Sequence, residues 1–142
     1  MGAESVTVCF TGNPNCGKTT LFNAYTGAGK KTANWPGVTV ELSEGSLMHR
    51  GRPVRLVDTP GIYSLDPYTM EETVTRQCIS DQKADVIIHV ADALLLERSL
   101  FLTMQLLVEG KPLVLALNMM DLVRERGMDI DTEGLSRLLG GI

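Results

Sequence analysis

Gly12-Asn13-Pro14-Asn15-Cys16-Gly17-Lys18-Thr19 fits the pattern G-x-x-x-x-G-K-[ST], and its reading decides the fold. Glycines at both ends let backbone N–H groups turn inward around a phosphate. A helix starting at Lys18 would aim its positive dipole end at the same charge. The Lys18 ammonium can reach the β- and γ-phosphates, and the Thr19 hydroxyl can ligate Mg²⁺. The motif needs a strand before it and a helix after it. Val6-Thr7-Val8-Cys9-Phe10 is a short β-rich run. From Lys18 to Tyr25 the apolar residues Leu21, Phe22 and Tyr25 recur at helical spacing, and Gly27-Ala28-Gly29 stops that helix.

Further along the chain, Lys30 to Gly37 reads as an irregular loop containing Trp35-Pro36-Gly37. Val38 to Leu47 and Val54 to Val57 are strand candidates joined by a turn at His49-Arg50-Gly51-Arg52. Asp58 to Tyr68 is a Pro- and Gly-containing loop, and Met70 to Ser80 reads as helix. Asp85 to Ala91 and Pro112 to Leu117 read as buried strands on either side of a helix over Leu94 to Glu109. Helices follow to Arg126 and over Thr132 to Leu139. Strands alternating with helices, the later strands nearly all apolar, predict an α/β fold with a mostly parallel sheet covered on both faces. The chain stops at Ile142, behind Gly140-Gly141, where another strand would normally begin, so a piece truncated before its last strand and helix is expected.

Composition sets the outer limits. The 142 residues, 44% hydrophobic and 21% charged, suit one globular domain rather than a disordered chain. Lys+Arg 13 against Asp+Glu 17 leaves a net charge of −4, which excludes a global basic surface for nucleic acid. No apolar run approaches the ~18 residues that cross a bilayer. Met1 to Ser5 has neither a basic nor an apolar leader region, so no signal peptide is expected. Cys9, Cys16 and Cys78 are odd in number and match no zinc spacing, which predicts a reducing compartment without disulfides.

Two later motifs choose among phosphate-loop chemistries. In Asp58-Thr59-Pro60-Gly61, a carboxylate at a strand end can hold Mg²⁺ through water and the Gly61 amide can sense a γ-phosphate. In Asn118-Met119-Met120-Asp121, the Asp121 carboxylate can accept two hydrogen bonds from guanine, a pattern adenine lacks, and Asn118 can tie the segment to the phosphate loop. Each motif follows a strand, where ligands of open α/β sheets bind. The nucleotide-binding candidates are therefore Gly12, Asn13, Pro14, Asn15, Cys16, Gly17, Lys18, Thr19, Thr20, Asp58, Gly61, Asn118, Met119 and Asp121.

The ordered trio resembles a translation-factor-type GTPase domain. Three stretches narrow the resemblance: Asn34-Trp35-Pro36-Gly37-Val38-Thr39-Val40-Glu41, Asp58-Thr59-Pro60-Gly61-Ile62-Tyr63-Ser64-Leu65, and Ala116-Leu117-Asn118-Met119-Met120-Asp121. From about Val6 to Gly141 the chain is similar to the N-terminal G domain of the bacterial ferrous iron transport protein B family, FeoB. The resemblance implies a three-layer P-loop GTPase fold and a Mg²⁺-dependent, K⁺-stimulated GTPase that turns GTP into GDP. The domain would regulate Fe(II) uptake from the cytoplasmic side of a bacterial inner membrane. It implies helical and transmembrane regions elsewhere in a parent transporter, and small accessory proteins as partners. Thr39 would be the first-switch Mg²⁺ ligand beside Thr19 and Asp58, and Asp58 to Leu65 the second switch. Asn15, with the backbone carbonyls of Ala33 and Trp35, would hold K⁺ where an arginine finger otherwise acts. The residues expected to carry the reaction are Lys18, Thr39, Gly61 and Asn15.

The chain also departs from general patterns. Ile62 stands where many GTPases have a water-orienting Gln, which predicts slow intrinsic hydrolysis. Met119 replaces the Lys whose stem covers guanine, which leaves ATP use open. Ala33 stands for the usual glycine, and Leu95 for an expected Asn. Cys16 sits at a helix start, where a thiol pKa can fall, though a spacer role is the simpler reading. The last guanine-contacting loop is not found before Ile142. Glu71-Glu72 reads as the first turn of a helix and His89 as a core residue, so no iron site is expected here. Three other functions remain: a GTP/GDP binding switch with negligible hydrolysis, a phosphate-loop enzyme of relaxed ATP/GTP choice, and a relative acting on tRNA or ribosomes. Met119, the Trp35-Pro36-Gly37 stretch and the net acidity argue against the last.

Overall fold

The strand that feeds the phosphate loop lies inside the sheet. In the computed structural model, which describes residues 5–81 and 84–142, six strands run in the order β2-β3-β4-β1-β5-β6. They are β1 (Val6–Gly12), β2 (Lys31–Asn34), β3 (Glu41–His49), β4 (Arg52–Asp58), β5 (Val86–Asp92) and β6 (Leu113–Asn118). The helices are α1 (Lys18–Thr26), α2 (Met70–Asp81), α3 (Leu96–Val108), α4 (Met120–Glu125) and α5 (Thr132–Leu138), with short 3₁₀ turns at Gly27–Gly29 and Ala93–Leu95. The leader reading of Met1 to Ser5 falls, but for Ser5, outside the described residues.

The β4-β1, β1-β5 and β5-β6 pairings are parallel, and the β2-β3 and β3-β4 pairings antiparallel. The sheet is thus parallel at its centre and antiparallel at one edge. Register explains the layering, because successive side chains of a strand point to opposite faces. Cys9 sits opposite Val57 and Ile87, and Phe10 opposite Ile88. Val8, Phe10, Leu56 and Val90 pack with Phe22 of α1 on one face. Cys9 and Val57 pack with Val74 and Cys78 of α2, and Ile87 packs with Leu102 and Leu106 of α3, on the other. Helix–sheet–helix is the three-layer α/β architecture expected.

Phe22 shows how a short helix is held. Its ring is fully buried and meets Phe10 edge-on, with centroids 5.6 Å apart and planes at 82°. That arrangement adds about 0.5–1.5 kcal/mol to the area it buries. Truncating Phe22 to Ala would cost about 3–5 kcal/mol.

Several boundaries differ from the sequence reading. The loop expected over Lys30 to Gly37 contains β2, all four of whose residues are exposed at the sheet edge. The strand expected to begin at Val38 begins at Glu41. The Trp35 N–H donates to the Val40 carbonyl at 2.7 Å and the Val38 N–H to the Trp35 carbonyl at 3.2 Å, so these residues form a turn instead. The helix expected from Leu94 begins at Leu96, after the 3₁₀ turn Ala93–Leu95, which is capped by the Asp92 carboxylate accepting the Leu94 N–H at 2.9 Å. Among the described residues no helix is long and apolar enough to cross a membrane.

Candidate functional site

Strand β1 ends at Gly12, and the chain then turns round a cleft of about 340 Å³ lined by Asn13, Pro14, Asn15, Cys16, Gly17, Lys18, Thr19, Thr20 and Gly61. Asn15 holds a left-handed backbone with φ 64°, which asparagine tolerates better than most residues. Gly17 has φ 87°. A Cβ there would land on Asn118 Nδ2, so the position needs glycine for space as well as for conformation. Asn118 closes the loop from the far end of the sheet: its Nδ2 donates to the Cys16 carbonyl at 3.0 Å, across 102 residues of sequence. Cys16 itself is buried, and burial pushes its thiol up rather than down, as suits a spacer.

At the cleft mouth Asp58 gathers the motif side chains. The Lys18 ammonium donates to Asp58 Oδ1 and to the Thr59 carbonyl, the latter at 2.6 Å, and Thr19 Oγ1 donates to Asp58 Oδ2 at 3.0 Å. Lys18 and Asp58 are both buried, so the pair is mutually neutralised. A hydroxyl and a carboxylate converging at the end of a phosphate loop are the hard oxygen donors that Mg²⁺ takes, with water and phosphate oxygens completing its shell. The donor set formed by Thr19 and Asp58 fits that ion.

The loop after β4 is docked on the same loop. The Thr59 N–H and hydroxyl both donate to the Phe10 carbonyl, at 3.2 and 2.6 Å, and the Ile62 N–H donates to the Gly12 carbonyl at 3.0 Å. Gly61 lies so close to Pro14 that a Cβ would stand 2.9 Å from its Cα. The Ile62 side chain turns away from the cleft into the core with Leu65, Ile79 and Leu102. Leu65 is then fixed from α3 and α2: its N–H donates to Gln105 Oε1 at 2.7 Å, and its carbonyl accepts Arg76 Nη2 at 3.1 Å. Arg98 of α3 stacks over Tyr63, 4.3 Å from the ring centre.

Thr39, Ala33 and Trp35 are not brought to this cleft. Thr39 is exposed on the turn before β3. Ala33 and Trp35 line a separate hollow with Leu42, Glu44 and Arg55. Asn15 and the carbonyls of Ala33 and Trp35 therefore do not form one cation site in this arrangement. Met119 takes φ 66° and is followed by α4, with Asp121 exposed in its first turn. Sequence reasoning missed Gln105, Arg76 and the Arg98–Tyr63 stack. Polar residues on amphipathic helices read as solvated positions, and nothing in the sequence marks which of them reach across to a loop.

The other candidates are placed as ordinary structure. Glu71 and Glu72 stand in the first turn of α2, and Glu72 accepts the Thr69 N–H at 3.0 Å, a helix cap. His89 is wholly buried beside Thr103, with Nδ1 2.8 Å from its hydroxyl and Nε2 without a partner. Leu95 is 51% exposed. Among the described residues no three His, Cys, Asp or Glu side chains are grouped to hold a metal ion.

Comparison with known proteins agrees with this geometry. The sequence profile described as ferrous iron transport protein B matches residues 6–141. The Fe(2+) transporter FeoB of Legionella pneumophila is 50% identical over 133 residues, covering 91% of this chain and 18% of that protein. A fusion of Fe(2+) transport protein A with FeoB from Porphyromonas gingivalis is 44% identical over 136 residues, 95% of this chain and 16% of that one. The chain thus spans less than a fifth of the length of these relatives. The crystal structure of a mutant S. thermophilus NFeoB bound to mGDP superposes with a TM-score of 0.91 at 44% identity, over 96% of this chain and 52% of that one. A P-loop cleft closed by Asn118, an Asp58 junction at its mouth and a profile match over almost the whole chain together establish that this chain belongs to the FeoB ferrous iron transporter family, as a G domain of GTPase-type fold.

Proposed function

We propose that the chain binds GTP and GDP with Mg²⁺, hydrolyses GTP slowly with K⁺ assistance, and so regulates Fe(II) uptake as the G domain of a longer transporter. The carrying observation is the Asp58 carboxylate, which joins Lys18 and Thr19 of the phosphate loop to the second switch. When bound, Mg²⁺ would supply positive charge that offsets the charge of the phosphates. Thr19 and Asp58 would hold it, and Lys18 would turn from Asp58 to the phosphate. Gly61 would present its amide to the γ-phosphate. Asp121 would accept hydrogen bonds from the base, and Asn118 would tie that segment to the phosphate loop. The K⁺ part of the reading requires the first switch to carry the Ala33 and Trp35 carbonyls to Asn15, and Thr39 to the Mg²⁺ side. The helical and membrane regions of the transporter, and an accessory protein of the kind fused to FeoB in P. gingivalis, would be the partners, at the cytoplasmic face of the inner membrane.

One observation favours a second reading, a binding switch with negligible hydrolysis. The Ile62 side chain is buried in the core, so the position after Gly61 offers nothing to orient water. The test is phosphate release from GTP with Mg²⁺ by the full-length protein, in KCl and in NaCl at equal ionic strength, with Asn15→Ala as control. Faster release in KCl, lost in Asn15→Ala, is the expected outcome. Equal slow release in both salts removes the K⁺ mechanism and leaves the binding switch. Competition of ATP against GTP for the same site tests base choice.

A further inference from the structure

Away from the nucleotide cleft, two thiols meet inside the fold. Cys9 of β1 and Cys78 of α2 are free, fully buried, and have their sulfurs 3.8 Å apart. They belong to one apolar cluster with Val40, Leu42, Val57 and Val74, and its cover on one side is a loop rather than a helix: Trp35 and Val38 pack against it. They lie on the turn before β3, in the segment proposed above as the first switch, held there by the Trp35–Val40 and Val38–Trp35 backbone bonds.

We propose that Cys9 and Cys78 are a modification site, forming a reversible disulfide on exposure to a peroxide, with access governed by the first switch. A disulfide needs its sulfurs about 2.05 Å apart, so each must move by roughly 1 Å, within reach of small χ1 changes. One thiolate attacks a peroxide oxygen; the O–O bond breaks, the departing oxygen leaves as water after taking a proton, and a sulfenic acid forms. The second sulfur attacks that sulfenic sulfur; the S–O bond breaks, a second water leaves, and the two thiols have lost two electrons to the peroxide. The hydrogen bond with Cys9 and the nearby Arg55 guanidinium hold the Cys78 thiol below its ordinary range, while the same bond and burial hold Cys9 above it. Either sulfur can donate in their shared contact, so either can attack and the other resolve. A buried thiol is ordinarily inert. Here part of the cover is the loop bearing Trp35 and Val38, which the proposal requires to lift, and the product would tie α2 to the strand that carries the phosphate loop. The inference rests on the thiol geometry and stands whether or not the chain hydrolyses GTP.

The test is peptide mapping of the full-length protein after hydrogen peroxide. Trypsin releases Gln77–Lys83 with Cys78 and the peptide ending at Lys18 with both Cys9 and Cys16, and chymotryptic cleavage after Phe10 separates those two. The expected product is Gln77–Lys83 joined to the Cys9 fragment, lighter by two hydrogens and released by dithiothreitol. Trp35→Ala is expected to speed its formation several-fold. Cysteines found free, oxidised separately to sulfinic acids, or joined through Cys16 would overturn the site. A rate unchanged in Trp35→Ala would overturn the gating.

Discussion

Gly17 meets two requirements at one position. Its φ of 87° is strained for any L side chain, and the Asn118 amide occupies the space a Cβ would need. Gly17→Ala is expected to push Asn118 off the Cys16 carbonyl and to lower GDP affinity by more than about tenfold, which is 1.4 kcal/mol, measured by calorimetry. Asn118→Ala removes the hydrogen bond without the strain, so its cost should be smaller, about 1 kcal/mol. Equal losses in the two variants would mean that the backbone of Gly17 contributes nothing. Both residues were legible in the sequence because motif spacing encodes backbone geometry directly. The left-handed turn at Met119 was not, since a methionine side chain does not announce a positive φ.

At the scale of elements, α3 clamps the loop that follows β4. Gln105 accepts the Leu65 N–H and also reaches Asp66 Oδ1 at 3.4 Å, while Arg98 stacks on Tyr63. Gln105→Leu would leave the part-buried Leu65 N–H without its partner, a loss of about 1–3 kcal/mol locally. Hydrogen exchange at the Leu65 amide should then quicken about tenfold or more, with GDP affinity unchanged, because Gln105 does not line the nucleotide cleft. An unchanged exchange rate would show that Arg76 and the core hold the loop alone. Gly61→Ala acts from the other side. Its methyl would press on the Pro14 backbone, which cannot yield, so hydrolysis should fall while binding persists, seen as a drop in kcat at similar nucleotide affinity. The sequence announced α3 through its apolar spacing and said nothing of this clamp. It also hid β2, because Lys31, Thr32, Ala33 and Asn34 are all exposed and carry no apolar alternation. Such an edge strand owes its existence to pairing with β3, where Ala33 sits opposite Leu42.

For the molecule as a whole, the central parallel strands were readable because burial on both faces leaves near-continuous apolar runs such as Val86-Ile87-Ile88. His89 interrupts that run, and its place in the sheet gives it a global effect. The Thr103 hydroxyl donates to the Ser99 carbonyl at 3.2 Å, so it accepts from His89 Nδ1–H and leaves Nε2 bare. Burial lowers the imidazole to about 4 from its ordinary 6.5. Between those values the unfolded chain binds a proton that the folded chain refuses, so stability rises with pH across this window. The contribution is complete above about pH 6.5 and is lost as pH falls towards 4. The shift corresponds to about 3 kcal/mol in all, of which about 2 kcal/mol is lost by pH 5. Urea midpoints of the full-length protein at pH 7 and pH 5 should differ accordingly. His89→Gln, which cannot titrate, should be less stable at pH 7 and flatter over this range, after allowance for the carboxylates common to both proteins. Parallel profiles for the two proteins would place the acid sensitivity elsewhere and would mean that His89 is protonated inside the fold, with a donor from Nε2 directed to an acceptor.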